Sequence, residues 1–552
     1  MGRAAVTVPL LRAPPFPHRK VEIARHGKQG AALSADILAT LADARVGGNF
    51  WAEPAVSCDG PRVVLRPRQK DDLAALADST AAQPCLWIGA WRAVRNFAQK
   101  HGGQWQGEVD PWSALDGAEQ LVAHGEDEWV AIARICGVPV RLLSSGCYGS
   151  PGDSEAALDD RVTTALGSSE YIDPFTGATT TPEATIALLQ DWRRLIDANR
   201  SIAVTSGIAW WKRQEIRRFL WVPGRRLRIV SSAAKALAHA ARCKGSIAIW
   251  PSRASPWLLS EAHRRGVELV RIEDGFVRSV GLGSNLVPPS SIVVDRRGIH
   301  FDPVAPSDLE HFLATAEFSE ALQQRARVLR NRMVSAGIGK YGTGAGVSLP
   351  PRQPGRRLVL VPAQVEDDMS VLAGGGGLSS NLELLRRVRA LEPDADIWFR
   401  PHPDVEAGHR TGAVPRDKVL QYADRIVSGG SMAALLDSVD AVHVLTSLTG
   451  FEALLRRREV ICHGTPFYAG WGLTRDLGDI PTRRGRKLEL DQLVAGVLIL
   501  YPRYLDPVTG LPCPPEVLVD RIAGLRATNR LSWLGPLRRL QGWFMAKWRW
   551  PR

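Results

Sequence analysis

The 552-residue chain is poor in cysteine, with only Cys58, Cys85, Cys136, Cys147, Cys243, Cys462 and Cys513. None forms a CxxC pair and no cluster has zinc spacing, which excludes a zinc ribbon and a disulfide-stapled scaffold. An odd, scattered set fits a reducing compartment. No run of about 18 apolar residues is present, so no spanning helix is expected. Prolines break the short apolar run near the N-terminus, so the h-region of a signal peptide is also lacking. No nucleic-acid-binding motif or aromatic sheet signature is found, and no nucleic-acid partner is expected. The expected location is therefore the cytoplasm, at most peripheral on the inner face of the membrane. Lysine is scarce too, with 11 against 59 arginines, and with 57 acidic residues the formal charge is +13. Guanidinium forks suit carboxylate and phosphate partners; the competing reading is the base composition of the genome. Hydrophobic residues make up 45% and charged residues 23%, which excludes a disordered tail protein and a collagen-like array.

What is present first is a repeat. Tyr171 opens YIDPFTGATTTPE and Tyr504 opens YLDPVTGLPCPPE, 333 residues apart. GVPVRLLSSGCYGSPG (Gly137 to Gly152) lies over REVICHGTPFYAGWG (Arg458 to Gly472) at an offset of 320, and VVLRPRQ (Val63 to Gln69) resembles DIWFRPHP (Asp396 to Pro403). Three matches in one order point to two related modules. From Ser201 onward, apolar runs ending in polar or Gly-rich turns alternate with helical patterns: SIAVTSG, GSIAIWPS and VELVRIEDG, then RLVLVPAQ, DIWFRPHP, DRIVSG and AVHVLTS. This is the rhythm of a parallel sheet covered by helices. SSIVVDRRGIHFDP (Ser290 to Pro303) reads as a hairpin turning at Arg297-Gly298, and the Gly/Pro-rich stretch from Gly339 to Arg357 reads as a boundary. The expected class is α/β: two Rossmann-type halves facing a cleft, preceded by a partial α/β module. The expected domains are 1–196, 197–350, 351–480, and C-terminal helices with a basic tail over 481–552.

Chemistry is sought where parallel strands end, because ligands bind in the crevice at their carboxyl ends. LVLVPAQ, closing on Gln364, leads to Glu366-Asp367-Asp368. Three neighbouring carboxylates repel, so at least one needs a cationic partner or a shifted pKa; the alternative is a solvated acidic loop. Gly374-Gly375-Gly376-Gly377 before Ser379-Ser380 is either an anion cradle or a simple turn. Arg400-Pro401-His402-Pro403 holds one imidazole between prolines, suited to phosphate or ribose, or to a structural turn. Ser447-Leu448-Thr449-Gly450-Phe451-Glu452 reads as a phosphate cradle with Glu452 towards ribose, or as an ordinary helix cap. Glu273-Asp274-Gly275, with Arg278 and Ser279 behind, offers a carboxylate pair able to deprotonate a sugar hydroxyl.

With these residues in view, the second module closely resembles the bacterial capsular-polysaccharide β-Kdo transferases of the KpsC/LipA type. The stretches that carry the likeness are RIEDGFVRSVGLGSNLVPPSSIVVDRRGIHFDP, VPAQVEDDMSV, FRPHPDVEAG, TSLTGFEALL, HGTPFYAGWGLT and LILYPRYLDPVTG, over about residues 200–525. The resemblance implies a GT-B pair of domains that transfers Kdo from CMP-β-Kdo with retention. It implies an acceptor that is a poly-Kdo linker on (lyso)phosphatidylglycerol, with capsule assembly and export proteins as further partners. It implies Asp368 as nucleophile, His402-Pro403 at the CMP, and Ser447, Gly450 and Glu452 as matching motif positions; Gln364, Glu366, Arg400 and Thr449 join them as candidates for donor binding. Arg278, Ser279, Tyr468 and Trp471 become candidates for the acceptor or a Kdo carboxylate, and Asp274, beside Glu273, for the base. A carboxylate nucleophile achieves retention by splitting one displacement into two inversions. CMP can depart on hydrogen bonds from His and helix N-termini, so no metal site and no cofactor are expected. The matching module is the C-terminal one of two-module members, which implies the 2,7 linkage.

The first module departs from the pattern. Arg68-Gln69 stands where the repeat places His402-Pro403, Ile132 and Val130 stand at Glu452 and Gly450, and no acidic strand-end loop is found. Residues 1–196 are therefore expected to be an inactive remnant of a donor half. The tail from Arg530 to Arg552 has six basic residues, four tryptophans and no acid. That mixture suits an anionic membrane surface at ~1 kcal/mol per basic residue, or a helix packed on the fold. The rival functions are a UDP-sugar enzyme of the same fold and a non-catalytic scaffold that binds the capsule glycolipid.

Overall fold

The computed structural model describes residues 8–17, 19–27, 32–56, 62–77, 84–277, 288–339, 349–406 and 410–528. Arg278, Ser279 and the basic tail from Arg530 to Arg552 lie outside the described residues. The chain divides into two compact units, residues 1–200 with 221–225, and residues 201–220 with 226–552. Among the described residues, no helix is long and apolar enough to cross a membrane.

The first unit contains β1 (Ala24–His26), β2 (Arg62–Leu65), β3 (Cys85–Ile88), β4 (Gln104–Gln106), β5 (Ala118–Ala123), β6 (Val140–Leu142), β7 (Ser169–Ile172) and β8 (Thr179–Thr180). Five of them form a parallel sheet in the order β4-β3-β2-β5-β6. RVVL and CLWI are buried at every position, as strands covered on both faces must be. β1, β7 and β8 make a small antiparallel sheet.

The second unit contains β9 (Ile202–Ser206), β10 (Arg228–Val230), β11 (Ser246–Ile249), β12 (Leu269–Asp274), β13 (Ser291–Asp295), β14 (Leu358–Pro362), β15 (Asp396–Arg400), β16 (Arg425–Ile426), β17 (Ala441–Val444), β18 (Glu459–Cys462), β19 (Arg475–Asp476), β20 (Pro502–Leu505) and β21 (Pro512–Cys513). One sheet runs β10-β9-β11-β12-β13-β20-β21, parallel as far as β12 and antiparallel beyond. The other runs β16-β15-β14-β17-β18-β19, parallel throughout. One apolar core joins the two halves, from Phe276 and Val293 through Trp398 and Phe451 to Leu493.

Three expectations are corrected. Ser290 to Pro303 is not a hairpin. β13 runs alone between β12 and β20, and the fully buried Asp295 then accepts from the N–H groups of Arg297, Gly298 and Asp308. Those bonds turn the chain out of the sheet, so no return strand forms. Residues 481–528 are not helices alone, because β20 and β21 re-enter the first sheet of this unit. The pairing of VVLRPRQ with DIWFRPHP is out of register: β2 lies centrally in its sheet, as β14 does in its own, and it is β3 that holds the place of β15. With Leu65 beside Trp87 and Pro362 beside Arg400, Ile88-Gly89 therefore stands where the second unit has Pro401-His402. The chain after β2 also carries acids, Asp71 being as far beyond Leu65 as Asp368 is beyond Pro362. An apolar tetrapeptide followed by Arg-Pro recurs too easily to fix a register; strand order decides it.

Candidate active site

A cavity of about 890 Å³ lies within the second unit, lined from both of its sheets. One wall is built from the exits of β14, β15 and β17. Gln364 bridges two of them: its side-chain N–H donates to the Thr446 hydroxyl (2.9 Å), and its Oε1 accepts from the Thr446 N–H (2.8 Å). Thr446 in turn reaches Ser370 (3.4 Å), and the Ser370 hydroxyl donates to Asp368 Oδ1 (2.7 Å). Asp368 also caps the helix Met369–Gly374 by accepting from the Ser370 N–H (3.0 Å). A hydrogen-bonded chain from two strand exits thus orients one carboxylate. Among the described residues its Oδ2 has no hydrogen-bond partner.

The three adjacent acids separate into different tasks. Glu366 accepts from the Asn381 N–H (2.8 Å), and does not line the cavity. Asp367 pairs with Arg410 (3.1 Å), and hydrogen bonding from Thr411, then Arg410, holds its carboxyl below the usual range. Asp368 alone is held by Ser370.

Arg400 lines the cavity, but its guanidinium donates to the carbonyls of Val427 and Gly430 at 3.1 Å and to that of Gly429. Burial lowers its pKa. His402 Nδ1 accepts from the Asp404 N–H (3.2 Å), which puts the proton of the neutral ring on Nε2. Pro401 and Pro403 line the cavity on either side of it. Ser447 caps the helix Leu448–Leu455, accepting from the Thr449 N–H (3.2 Å). Ser447, Thr449 and Glu452 line the cavity.

Several predicted residues are structural instead. A Cβ on Gly450 would come within 2.2 Å of the Tyr468 hydroxyl, so Gly450 serves close packing. Tyr468 is fully buried and donates to the Ser447 carbonyl; Trp471 is fully buried and donates to the Phe467 carbonyl (2.9 Å). Neither reaches the cavity, because both rings fill the core beneath it. The glycine run is no anion cradle: Gly374 packs on Thr446 and takes the Thr465 N–H, and Gly376 and Gly377 turn with φ of 59° and 83°.

The other wall comes from β9, β11 and β12. Glu273 and Asp274 end β12 and line the cavity. Glu273 Oε1 accepts from the Asp274 N–H (3.0 Å), and Asp274 Oδ1 accepts from Lys212 Nζ (2.9 Å). Lys212 is buried, with its ammonium 3.6 Å from the Trp250 ring centroid and 5.0 Å from that of Trp211. Trp211, Lys212, Trp250 and Arg253 escaped the sequence reading. All four follow β9 or β11, so looking for polar and aromatic residues at those strand exits would have found them. Among the described residues, no group of three or more His, Cys, Asp or Glu is placed to hold a metal ion.

Several polar side chains near the strand exits of the first unit are paired with one another. His124 joins Asp72 (2.9 Å) and Ser144 (2.9 Å), and Arg66 joins Asp127 (3.0 Å) and Glu108 (3.2 Å) while lying 4.5 Å from the Trp129 ring centroid.

The family model for a capsule polysaccharide biosynthesis protein matches residues 246–339 and 347–504. The capsule polysaccharide modification protein LipA of Neisseria meningitidis is 42% identical over 62% of this chain and 48% of its own length. The chain thus spans about half the length of that relative. Two solved structures from Thermosulfurimonas dismutans also match: the KpsC β-Kdo 2,4 transferase (30% identical, 59% of this chain, 99% of that one, TM-score 0.51) and the KpsC β-Kdo 2,7 transferase (34%, 58%, 99%, TM-score 0.49). Paired Rossmann-type halves of GT-B kind, six motifs in order and these identities place the chain in the KpsC/LipA family of capsule Kdo transferases.

Proposed function

We propose that the second unit is a retaining β-Kdo transferase that takes Kdo from CMP-β-Kdo and adds it to a Kdo-terminated linker on (lyso)phosphatidylglycerol. The observation that carries this reading is the Gln364–Thr446–Ser370 chain, which holds the Asp368 carboxylate at the exit of β14 with one oxygen engaged. In the first step Asp368 Oδ2 attacks the anomeric carbon, and the bond from that carbon to the phosphate oxygen breaks. CMP leaves with the electron pair, stabilised by His402 Nε2–H and the N-terminal amides after Ser447. In the second step the acceptor hydroxyl attacks the same carbon, its proton passes to Asp274, and Asp368 is released. Two inversions give net retention. The electrostatic work falls to these residues, and no obligatory metal is part of the reading.

The first unit is proposed to be inactive: it keeps an acid, Asp71, at the spacing of Asp368, but Ile132 stands at the place of Glu452, and His124, Asp72 and Ser144, like Arg66 and Asp127, pair with one another. Incubation with CMP-Kdo and a synthetic Kdo-lipid acceptor tests the reading, with the linkage, 2,4 or 2,7, read by NMR. Absence of product with every Kdo acceptor refutes it. A melting shift with UDP but not CMP favours a UDP-sugar enzyme. Continued acceptor-dependent CMP-Kdo consumption by the Asp368→Ala protein refutes the inactivity of the first unit.

A further inference from the structure

We propose that Trp211, Trp250 and Arg253 form a subsite for the terminal ring of an anionic acceptor sugar, with Arg253 taking its carboxylate. This rests on the transferase reading above. Trp211 follows β9, Trp250 and Arg253 follow β11, and all three line the cavity on the wall that carries Asp274. The indoles are fixed in place by one buried cation. Lys212 Nζ lies 3.6 Å from the Trp250 centroid, 5.0 Å from that of Trp211 and 2.9 Å from Asp274 Oδ1. Its charge is therefore spent on the wall itself: it aligns two aromatic faces with one carboxylate.

Arg253 differs. It is exposed at the cavity, and among the described residues its guanidinium has no hydrogen bond or ion pair. Its Cβ packs against Gly207, where φ is 78° and an added Cβ would come within 3.2 Å. The base of the side chain is thus anchored while the fork stays on the cavity. Trp250 is buried and backs the wall, so the part-exposed Trp211 offers the indole face on which the C–H face of a sugar ring can stack, and an unpaired guanidinium selects a carboxylate. The chemistry also sets the orientation. Glu273 and Asp274 repel an anion, so the sugar's carboxylate sits at Arg253 and the attacking hydroxyl at Asp274.

The experiment compares Kdo-terminated acceptors carrying a free carboxylate or its methyl ester. The wild-type protein is expected to favour the acid. Arg253→Gln should lower kcat/KM for the acid by about 10- to 100-fold, as loss of a charged hydrogen bond does, and bring the acid-to-ester ratio close to one. Arg253→Lys should fall between. Trp211→Ala should raise KM for both acceptors alike and keep the wild-type ratio. An Arg253→Gln protein that keeps the wild-type acid-to-ester ratio overturns the subsite while leaving the transferase reading intact. A wild-type protein that transfers to neither acceptor overturns both.

Discussion

Lowering the pH from 7 to 5 should cost the second unit about 4 kcal/mol of folding stability through two histidines. His443 lies on β17 and His463 just beyond β18, and their rings meet at 3.0 Å (Nδ1 to Nε2). His443 is completely buried and His463 nearly so. Burial lowers both pKa values, to about 3 for His443 and about 4 for His463, and each ring also faces cationic arginines: Arg357 and Arg475 near His443, Arg387 and Arg475 near His463. Glu392, 3.5 Å from His443 Nε2, pulls the other way. It is shared with Arg357 at 3.6 Å, and a proton on His443 would still face the second imidazole, so the lowered direction holds. In the unfolded chain each histidine titrates near 6.5. Between that pH and about 4 the unfolded state binds more protons, so stability falls as pH falls through this window. With both rings still neutral in the fold at pH 5, each contributes about 2 kcal/mol of lost stability. For a unit of this size that is a drop of roughly 5 °C in Tm. The assay is scanning calorimetry at both pH values on the wild-type protein and on His443→Leu/His463→Leu. Replacing both rings avoids leaving one buried imidazole unpaired, and subtracting the variant removes the titration of every other group. Equal losses of stability in the two proteins would refute the reasoning.

Other perturbations follow from the same contacts. Thr446→Val removes the hydroxyl between Gln364 and Ser370; it should cost about 1–3 kcal/mol by leaving buried polar groups unpaired, and lower kcat more than it raises KM for donor. Urea titration and steady-state kinetics check both parts. Gly450→Ala drives a methyl towards the Tyr468 hydroxyl and should destabilise by about 1–3 kcal/mol, with Tyr468→Phe restoring part of the loss in the double variant. Lys212→Met leaves the part-buried Asp274 carboxylate without its cation and should cost about 1–3 kcal/mol; Lys212→Arg should cost less in the same denaturation assay.

The Rossmann rhythm from Ser201 onward was legible because strands buried on both faces are short apolar runs bounded by polar turns, and the structure forms β9, β11, β12, β14, β15, β16 and β17 within those runs. The cavity residues at the exits of β14, β15 and β17 were legible for the same reason. What was not legible depends on third dimensions of packing. Tyr468 and Trp471 sit in a motif dense with small and aromatic residues, which reads equally as a sugar site or as a core, and only their complete burial decides. Lys212 has an ordinary sequence context; its role needs Trp250 and Asp274 brought from other strands. The arginine excess pointed outward to anionic partners, yet many forks are spent inside. Arg484 bonds to Glu310 and to the carbonyls of Pro466 and Ala469, and Arg389 bonds to Asp424 and to the carbonyls of Tyr422 and Ala395. Such sites need several donors in one plane, which explains arginine in preference to lysine.

The two modules show which part of such a sequence resists change. The Tyr171 hydroxyl donates to the carbonyl of Leu166 and that of Tyr504 to Leu498, at 2.9 and 2.7 Å. Asp173 accepts from the N–H groups of Phe175 and Thr176, as Asp506 does from those of Val508 and Thr509. Thr176 and Thr509 then each accept, at 3.3 Å, from the N–H two residues on. The closing turn keeps the same pattern of bonds in both units, although Tyr171 reaches five residues back and Tyr504 six, and Asp506 also takes Arg521; these bonds hold the turn's own backbone in shape. The cavity positions carry no such mutual constraint. The Ser447 cap survives as Asp127, which still accepts from an N–H two residues on, whereas Glu452 and Gly450 give way to the buried aliphatic residues Ile132 and Val130. A cap is kept by the helix it stabilises; a group that touches only a substrate is kept only by its chemistry. The repeat is therefore visible in YIDP and YLDP and faint around the cavity positions, which is the pattern expected under the proposal that the first unit keeps the fold without the reaction.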